Sequence, residues 1–458
     1  MRNESRAVVI GGSMAGLVAA RVLAERVGQV SIVDRDTLPL AAVNRTAVPQ
    51  GRHAHGLLAA GERILRDLFP GLMEELVEGG AQAVTMDDAR WWQMNGYRTH
   101  APGAPDGTLF SRPFLEAVVR HRVAQLPNAS FHRATAAGLE YRDARVIGVH
   151  VVGDDGAAIV PADLAVDCSG RGSRAARWLT DIGYPEPAVA RVQVDVRYAS
   201  RLYRRTPGLR ADRSWYVTIG DPACSKRVGV AFPIEGDRWI VTLAGSHGDH
   251  PPTDDEGHLA WARTLPTGDI ADLIRDEEPL GPIVTHRLPS SQWRHFEKLR
   301  SHPSGFVALG DSVCSFNPIY GQGMSSAAQQ AVALGRAIDR HEIDGAGIPR
   351  AFYRAAAKII ANPWAIAAGA DFAFPETTGP KPPMTDVINR YVAKAIVAAQ
   401  HDGVVATAMW EVQNLLSPPQ SLMRPTVMAR VLRAARRGPS KRRTAPTPAA
   451  RPTPDRVG

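Results

Sequence analysis

"AVVIGGSMAGLVAARVLAERVGQVSIVD", residues 7–34, carries the pattern that settles the architecture. The apolar run AVVI ends in a Gly pair. MAGLVAARVLAERV then repeats apolar residues at helical spacing, and QVSIVD is a second apolar run closed by Asp34. Strand, tight turn, helix, strand is a βαβ unit, the building block of a parallel sheet. Its turn holds Gly11, Gly12, Ser13 and Gly16. In the G-x-G-x-x-G pattern of dinucleotide sites, glycines let backbone amides and a helix N-terminus approach a pyrophosphate. Ser13 replaces the second Gly; it is small, yet less permissive. Asp34 lies eighteen residues past Gly16, where an acid can bind ribose hydroxyls. A βαβ unit without a ligand is the plainer alternative.

Working outward, FSRPFLEAVVRHRVAQL (110–126) reads as a helix with Arg112 at its start. An Arg there can reach a phosphate, stack on adenine, or simply face solvent. Residues 129–170 read as short strands joined by Asp-Gly turns, a β-meander ending in VDCSG. From 183 to 300 the alternation becomes period two, as in VQVDVRY, and VGVAFPIEGDRWIVTLAG is a hairpin turning at Gly236-Asp237. GFVALGD then returns to buried-strand character before a largely helical remainder. The expected class is therefore α/β (α+β): a Rossmann-like domain with an inserted antiparallel-sheet domain and a helical C-terminal region. Residues 1–182 and 301–345 form the first domain, 183–300 the insertion, 346–437 the helical region and 438–458 a disordered basic tail.

The length of 458 residues suits that organisation, and 44% hydrophobic with 22% charged residues is ordinary for a globular protein. The net charge of +8 suggests nucleic-acid binding until it is mapped. From Arg424 onward there are ten Lys/Arg and one acid, leaving 44 basic and 45 acidic residues elsewhere. The body is neutral and only the Pro-rich tail is basic, so no nucleic-acid partner is expected. No transmembrane segment or signal peptide is read. Three scattered cysteines, Cys168, Cys224 and Cys314, fit a reducing cytoplasm.

A second special turn is VALGDSVCSFNPIYGQGMSSA, residues 307–327. Asp311 at a strand end can accept hydrogen bonds from polyol hydroxyls. Pro318 fixes the loop, while the amides of Gly321, Gly323 and Met324 at a helix start can face negative charge. Two nucleotide-facing ends, near residues 11 and 311, imply one extended dinucleotide. His53 and His55 in GRHAH share a face if the segment is extended, but no third ligand is suggested and no metal is expected. Trp91, Trp92, Tyr216, Phe232 and Trp239 either line an apolar cavity or serve as core.

GGSMAG, Asp34, Arg112, DCSG and GDSVCSFNPIYGQGMSSA, in this order, resemble the FAD-dependent monooxygenases of the aromatic-hydroxylase superfamily. VPQGRHAHGLLAAG, LFPG, VDCSGRGS and FPIEGDRWIVTLAG look like its bacterial secondary-metabolism branch, which includes flavin epoxidases of polyether polyketide precursors. The resemblance implies that Gly11, Gly12, Ser13 and Gly16 meet the pyrophosphate of FAD and Asp34 the adenosine ribose. It places Arg112 near the pyrophosphate or adenosine, Asp311 by the ribitol, and Pro318, Gly321, Gly323 and Met324 along the isoalloxazine. Arg35 and Arg45 complete the candidate cofactor contacts, with His53, Gly323 and Met324 near the reactive ring. Trp92, Tyr216, Phe232 and Trp239 are the candidate substrate contacts.

The implied activity is oxygen transfer from O2 through a flavin C4a-hydroperoxide to a small apolar substrate. Epoxidation of a polyketide or terpenoid olefin in antibiotic biosynthesis leads, with aromatic hydroxylation and a flavin reductase or dehydrogenase on an isoprenoid-like substrate as alternatives. Such oxygen transfer needs no side-chain nucleophile, so no catalytic base is assigned. Ser169-Gly170 replaces the Asp-Gly that the family links to NAD(P)H. NAD(P)H therefore acts directly or through a separate flavin reductase.

Overall fold

The computed structural model describes residues 4–210, 214–343 and 345–437. The expected disordered tail, 438–458, lies outside the described residues. Numbered in chain order, β1 (Arg6–Ile10), β2 (Gln29–Asp34), β7 (Ala129–Arg142), β8 (Arg145–Gly153), β9 (Gly156–Pro161), β10 (Leu164–Asp167) and β16 (Phe306–Ala308) make a seven-stranded sheet. Its order is β16-β10-β1-β2-β7-β8-β9. The pairs from β16 to β7 are parallel; β7, β8 and β9 form the antiparallel meander.

Ala7 to Ile10 are all buried, as a central parallel strand requires. α1 (Met14–Ala24) packs on this sheet with α4 (Arg112–Ala124) and α8 (Gly323–Ile338), and all contribute to the largest core cluster. α2 (Ala59–Leu68) and α3 (Leu72–Glu78) pack on these helices, and α5 (Ala175–Asp181) is tied to the meander by Trp178 Nε1, which donates to the Ala137 carbonyl at 3.2 Å. The expected Rossmann-type sheet is the observed one, with β16 in it and α8 among the helices on it, both from after residue 300.

A second sheet of eight strands contains β4 (Ala89–Gln93), β5 (Gly96–Tyr97), β11 (Val189–Arg204), β12 (Trp215–Ile219), β13 (Arg227–Ile234), β14 (Arg238–Gly245), β15 (Val284–Arg294) and β17 (Cys314–Ser315). Its order is β17-β15-β11-β14-β13-β12-β4-β5. Most of it comes from 183–300, but β4, β5 and β17 come from outside that range. β4 joins β12 in parallel, a pairing that no hairpin signal announces. Gly236 and Asp237 both have positive φ, 72° and 47°, and make the tight β13–β14 turn. β3 (Gln82–Val84) and β6 (Gly107–Leu109) pair separately.

One face of the second sheet packs on α6 (Asp255–Ala262) and α7 (Asp269–Asp276). Its other face is covered at one end by α10 (Thr385–Ala398), α11 (Gly403–Gln413) and α12 (Pro425–Ala435). α9 (Gly347–Asp371) crosses from α8 to the sheet. No helix among the described residues is long and apolar enough to cross a membrane.

Candidate active site

The first glycine turn is built for close approach. Gly11 has φ +102°, and a Cβ there would stand 2.6 Å from the carbonyl oxygen of Cys168 at the end of β10. A Cβ on Gly16 would lie 1.8 Å from the carbonyl oxygen of Gly11, so only glycine lets α1 seat on the turn. Ser13 is more than a small substitute. Its hydroxyl donates to Glu116 at 2.7 Å and accepts from Arg112 Nη2 at 2.9 Å.

Glu116 is the hub of this end. It is 3% exposed and takes Arg45 at 2.7 Å, Arg120 at 3.2 Å and Arg112 at 3.5 Å. Burial pushes its pKa up, but Arg112, Ser13 and Arg45 together outweigh that and hold it below the usual carboxylate range. Sequence reasoning missed Glu116 and Arg120, although Arg112, Glu116 and Arg120 follow i, i+4, i+8 on one helix face.

Asp34 accepts from the Gly12 amide at 2.7 Å and the Asp36 amide at 2.8 Å, and forms an ion pair with Arg45 at 2.9 Å. The carboxylate thus fixes the turn, and its Oδ1, which takes only the Asp36 amide among the described residues, keeps acceptor capacity. Arg35 is exposed beside it, whereas Arg45 is buried between Asp34 and Glu116. Arg45 is therefore a brace within the turn.

The second turn approaches the first from below. Gly310 has φ +67°, and its Cα faces Ala15 of α1. Asp311 follows, half-buried. Burial raises its pKa, while Arg112, Arg171 and Arg294 pull it down. Arg112 therefore lies within electrostatic reach of Asp311 and in contact with Ser13, which brings residues 13 and 311 into one site. A Cβ on Gly323 would come no closer to a neighbour than 3.7 Å, the neighbour being Asp311 Oδ1.

The loop between them is rigid. Asn317 is buried: its amide donates to Ser291 and its Nδ2 to Asp371 Oδ1, while its Oδ1 accepts from the Tyr198 hydroxyl at 3.3 Å. Tyr320 also donates to Asp371 Oδ1, at 3.1 Å. Burial pushes the Asp371 carboxyl up to about 7, against the hydrogen bonds from Asn317 and Tyr320. Pro318 opens a short 3-10 turn closed by Gly321 at φ +69°. The expectation for the Gly321 amide needs correcting, because that N–H donates to the Pro318 carbonyl at 2.9 Å. The first amide bonded within α8 is that of Ser326, so those of Gly323 and Met324 remain as free helix-terminal donors.

Above this loop lies one face of the second sheet. His53 is 5% exposed, and its Nδ1 pairs with Ser200 Oγ at 2.7 Å. Ser200 pairs with Thr242 at 2.6 Å, and Thr242 accepts from the Ala54 amide. Burial, His286 and Arg52 lower the His53 pKa to about 4, so the ring is neutral, and its Nε2 has no partner among the described residues. His55 is lowered to about 3 by burial and Arg112.

The pairing register sorts the candidate aromatics. Tyr216 pairs with Ala231, Pro233 with Trp239 and Thr218 with Trp92. Directly paired residues share a face, so Tyr216, Trp239 and Trp92 point to the α6–α7 side. Trp239 and Tyr216 belong to the core there. Phe232 alone of the four candidates faces the His53 side, together with Trp91 and Trp215. Trp215 meets Phe232, Trp91 and Trp410 edge-on or tilted at ring distances of 5.9 to 6.3 Å.

Among the described residues, Arg112 Nε and His53 Nε2 have no hydrogen-bond partner, and with the N-terminal amides of α8 they fit a ligand rich in acceptors spanning the two turns. An FAD-type dinucleotide matches that set. Cys314 is buried, and burial holds its thiol well above the usual value, as for a packing residue. Among the described residues no group of three His, Cys, Asp or Glu side chains is placed to hold a metal ion.

The arrangement defines a two-sheet flavoprotein, and comparison with known proteins carries this further. Residues 4–205 match the model of the FAD binding domain. The chain is 35% identical over 421 residues to Protein Rv3254 of Mycobacterium tuberculosis, covering 88% of both chains. It is 27% identical over 402 residues to kynurenine 3-monooxygenase of Salinispora arenicola, covering 78% of this chain and 77% of that one. The flavoprotein/dehydrogenase of Cytophaga hutchinsonii shares the fold with a TM-score of 0.66 at 14% identity, over 95% and 99% of the two chains. The chain belongs to the FAD-binding monooxygenase family and is a FAD-dependent enzyme of that type.

Proposed function

We propose that the enzyme inserts one oxygen atom from O2 into a largely apolar natural-product precursor, with epoxidation of a polyketide or terpenoid olefin as the leading reaction. The observation that carries this reading is the convergence of the two glycine turns with an aromatic-lined sheet face. Ser200, Thr242 and His53 lie on the same face as Trp215 and Phe232, with β14 and β13 between Ser200 and Trp215. FAD, when bound, supplies the redox chemistry that activates O2.

The chain's own residues would then do four things. Ser13, Arg112 and the N-terminus of α1 bind the pyrophosphate. Asp311 takes hydroxyls of the ribitol. The free amides of Gly323 and Met324 stabilise negative charge at the ring. The Trp91, Trp215 and Phe232 surface excludes water from the reacting centre.

The 27% identity to an enzyme named for 3-hydroxylation of kynurenine favours aromatic hydroxylation as the second reading. Electrons come from NAD(P)H, directly or through a separate flavin reductase, in keeping with a cytoplasmic enzyme. The test is turnover under 18O2 with NADPH or NADH, with and without an added reductase. A product carrying one 18O atom supports the proposal. A product that loses two hydrogens and gains no oxygen overturns it in favour of a dehydrogenase.

A further inference from the structure

Arg98 follows β5 and donates its amide to the Trp91 carbonyl at 2.9 Å, so the two side chains lie opposite each other on the His53 side of the sheet. Arg98 is 6% exposed. Its Nη1 donates to Gln413 Oε1 at 2.8 Å, and its guanidinium lies 4.4 Å from the centroid of the Trp91 ring. Its Nη2 has no partner among the described residues. Burial lowers its pKa to about 10, and no carboxylate contributes to that balance. The other deeply buried guanidinia do have acids: Arg45 and Arg120 are paired with Glu116.

The surroundings are one-sided in the same sense. Trp91 Nε1 and Trp410 Nε1 are also buried without hydrogen-bond partners among the described residues. Both rings belong to the Trp91, Trp215, Trp410 and Phe232 cluster, with Trp91 and Trp410 edge-on at 6.0 Å. On this face of β4 the only further buried polar atom without a partner among the described residues is Gln93 Oε1, and a carboxamide neutralises no charge; Arg90 Nε and Trp92 Nε1, also without partners, lie on the opposite face. An isolated buried cation is costly unless something compensates it, and a cation–π contact does so only in part. Trp91, Phe232 and Trp410 nevertheless keep some exposed surface, so the cluster is reachable.

We propose that Arg98, with the indole N–H groups of Trp91 and Trp410, is an anion-recognition site, and that the substrate class is an apolar, unsaturated carboxylate. Its carboxylate pairs with Arg98 while its body lies along Trp215 and Phe232. The proposal rests on the oxygenase reading above and narrows it from an apolar substrate to an apolar acid.

The test is made on the FAD-loaded enzyme without turnover. Quenching of tryptophan fluorescence is titrated with 2-naphthoate and with its neutral isostere 2-naphthamide. The carboxylate is expected to bind about 10- to 100-fold more tightly, the range of a charge-assisted hydrogen bond. Arg98→Met, which replaces the cation with an apolar chain, is expected to abolish that preference while amide binding persists. Arg98→Lys, which keeps the charge, is expected to retain part of it.

Equal affinity of the wild type for acid and amide overturns the proposal. So does a preference that survives in Arg98→Met. If Arg98→Met fails to fold, Arg98→Gln, which keeps a polar chain without the charge, decides in its place, because an acid preference there as large as the wild type's marks Arg98 as packing only. Selective acid binding without 18O incorporation would sink the oxygenase reading and leave this site standing. Oxygenation of neutral olefins with no acid preference would do the reverse.

Discussion

Glu116→Gln isolates the charge at the centre of the first turn. The glutamine keeps the shape and one acceptor but removes the negative charge that three arginines share. Breaking a buried ion pair costs about 3–5 kcal/mol. Here each partner retains something: Arg45 keeps Asp34 at 2.9 Å, Arg120 the Pro39 carbonyl at 2.7 Å, and Arg112 the Ser13 hydroxyl at 2.9 Å. The loss should therefore fall at or below the lower end of that range, about 2–3 kcal/mol. Unfolding entropy near 2.1 cal/mol/K per residue, over 458 residues, converts this to a Tm drop of roughly 2–3 °C.

The assay is thermal unfolding of apo and FAD-loaded protein, with the ratio of flavin to protein absorbance after gel filtration. The loaded form should fall further than the apo form, because the Ser13–Arg112 geometry loosens as well. The pH dependence has a definite sign. Glu116's folded pKa lies below its ordinary value, so its contribution is full above the unfolded pKa and is lost as pH falls through the folded one. The gap between wild type and Glu116→Gln should close in acid. Identical melting and flavin retention at pH 7 would refute the assignment of Glu116 as the organiser of this turn.

Asp371→Asn should behave in the opposite sense. The folded carboxyl titrates near 7, above its unfolded value, so the stability it contributes is fully present below the unfolded pKa and lost as pH rises through 7. The variant, which keeps an acceptor for Asn317 and Tyr320, should melt higher than wild type at pH 8 and show no advantage at pH 4; differential scanning calorimetry at both values checks this. Trp215→Ala and Trp239→Ala form a matched pair on opposite faces. Trp239→Ala should cost about 3–5 kcal/mol in urea unfolding and leave 2-naphthoate affinity alone, whereas Trp215→Ala should weaken that affinity. Gly323→Val meets no atom nearer than 3.7 Å at its Cβ, so it should fold normally yet purify with markedly less flavin. Full flavin content in that variant would remove α8's N-terminus from the ring site.

The β1–α1–β2 unit was legible because its apolar spacing, glycines and terminal acid are local, all within 28 residues. The return strand with Asp311 was legible for the same reason. What escaped was set by pairing across the chain. Whether Trp91 or Trp92 faces the site depends on the register of β4 against β12, more than a hundred residues away, and a one-residue shift would exchange them. Tyr216 and Trp215 differ by the same single step. Aromatic residues in strands therefore announce burial without announcing the side.

Ser13 illustrates a different limit. In isolation it is a defect in a glycine fingerprint, tolerated because it is small. In the structure its hydroxyl is one of the groups that hold α1 to α4, through Glu116 and Arg112. Serine in place of glycine exchanges backbone freedom for a fixed link between the first glycine turn and α4. The first turn is thus tied to α4 by a side-chain relay, Glu116–Ser13–Arg112, and Arg112 lies within electrostatic reach of Asp311 in the second turn. A Ser13→Gly variant would restore the fingerprint but cut that relay, and on this reasoning it should bind FAD less well than the parent despite the closer match to the pattern. Tighter binding by Ser13→Gly in equilibrium dialysis would show that backbone approach, and not the relay, limits the site.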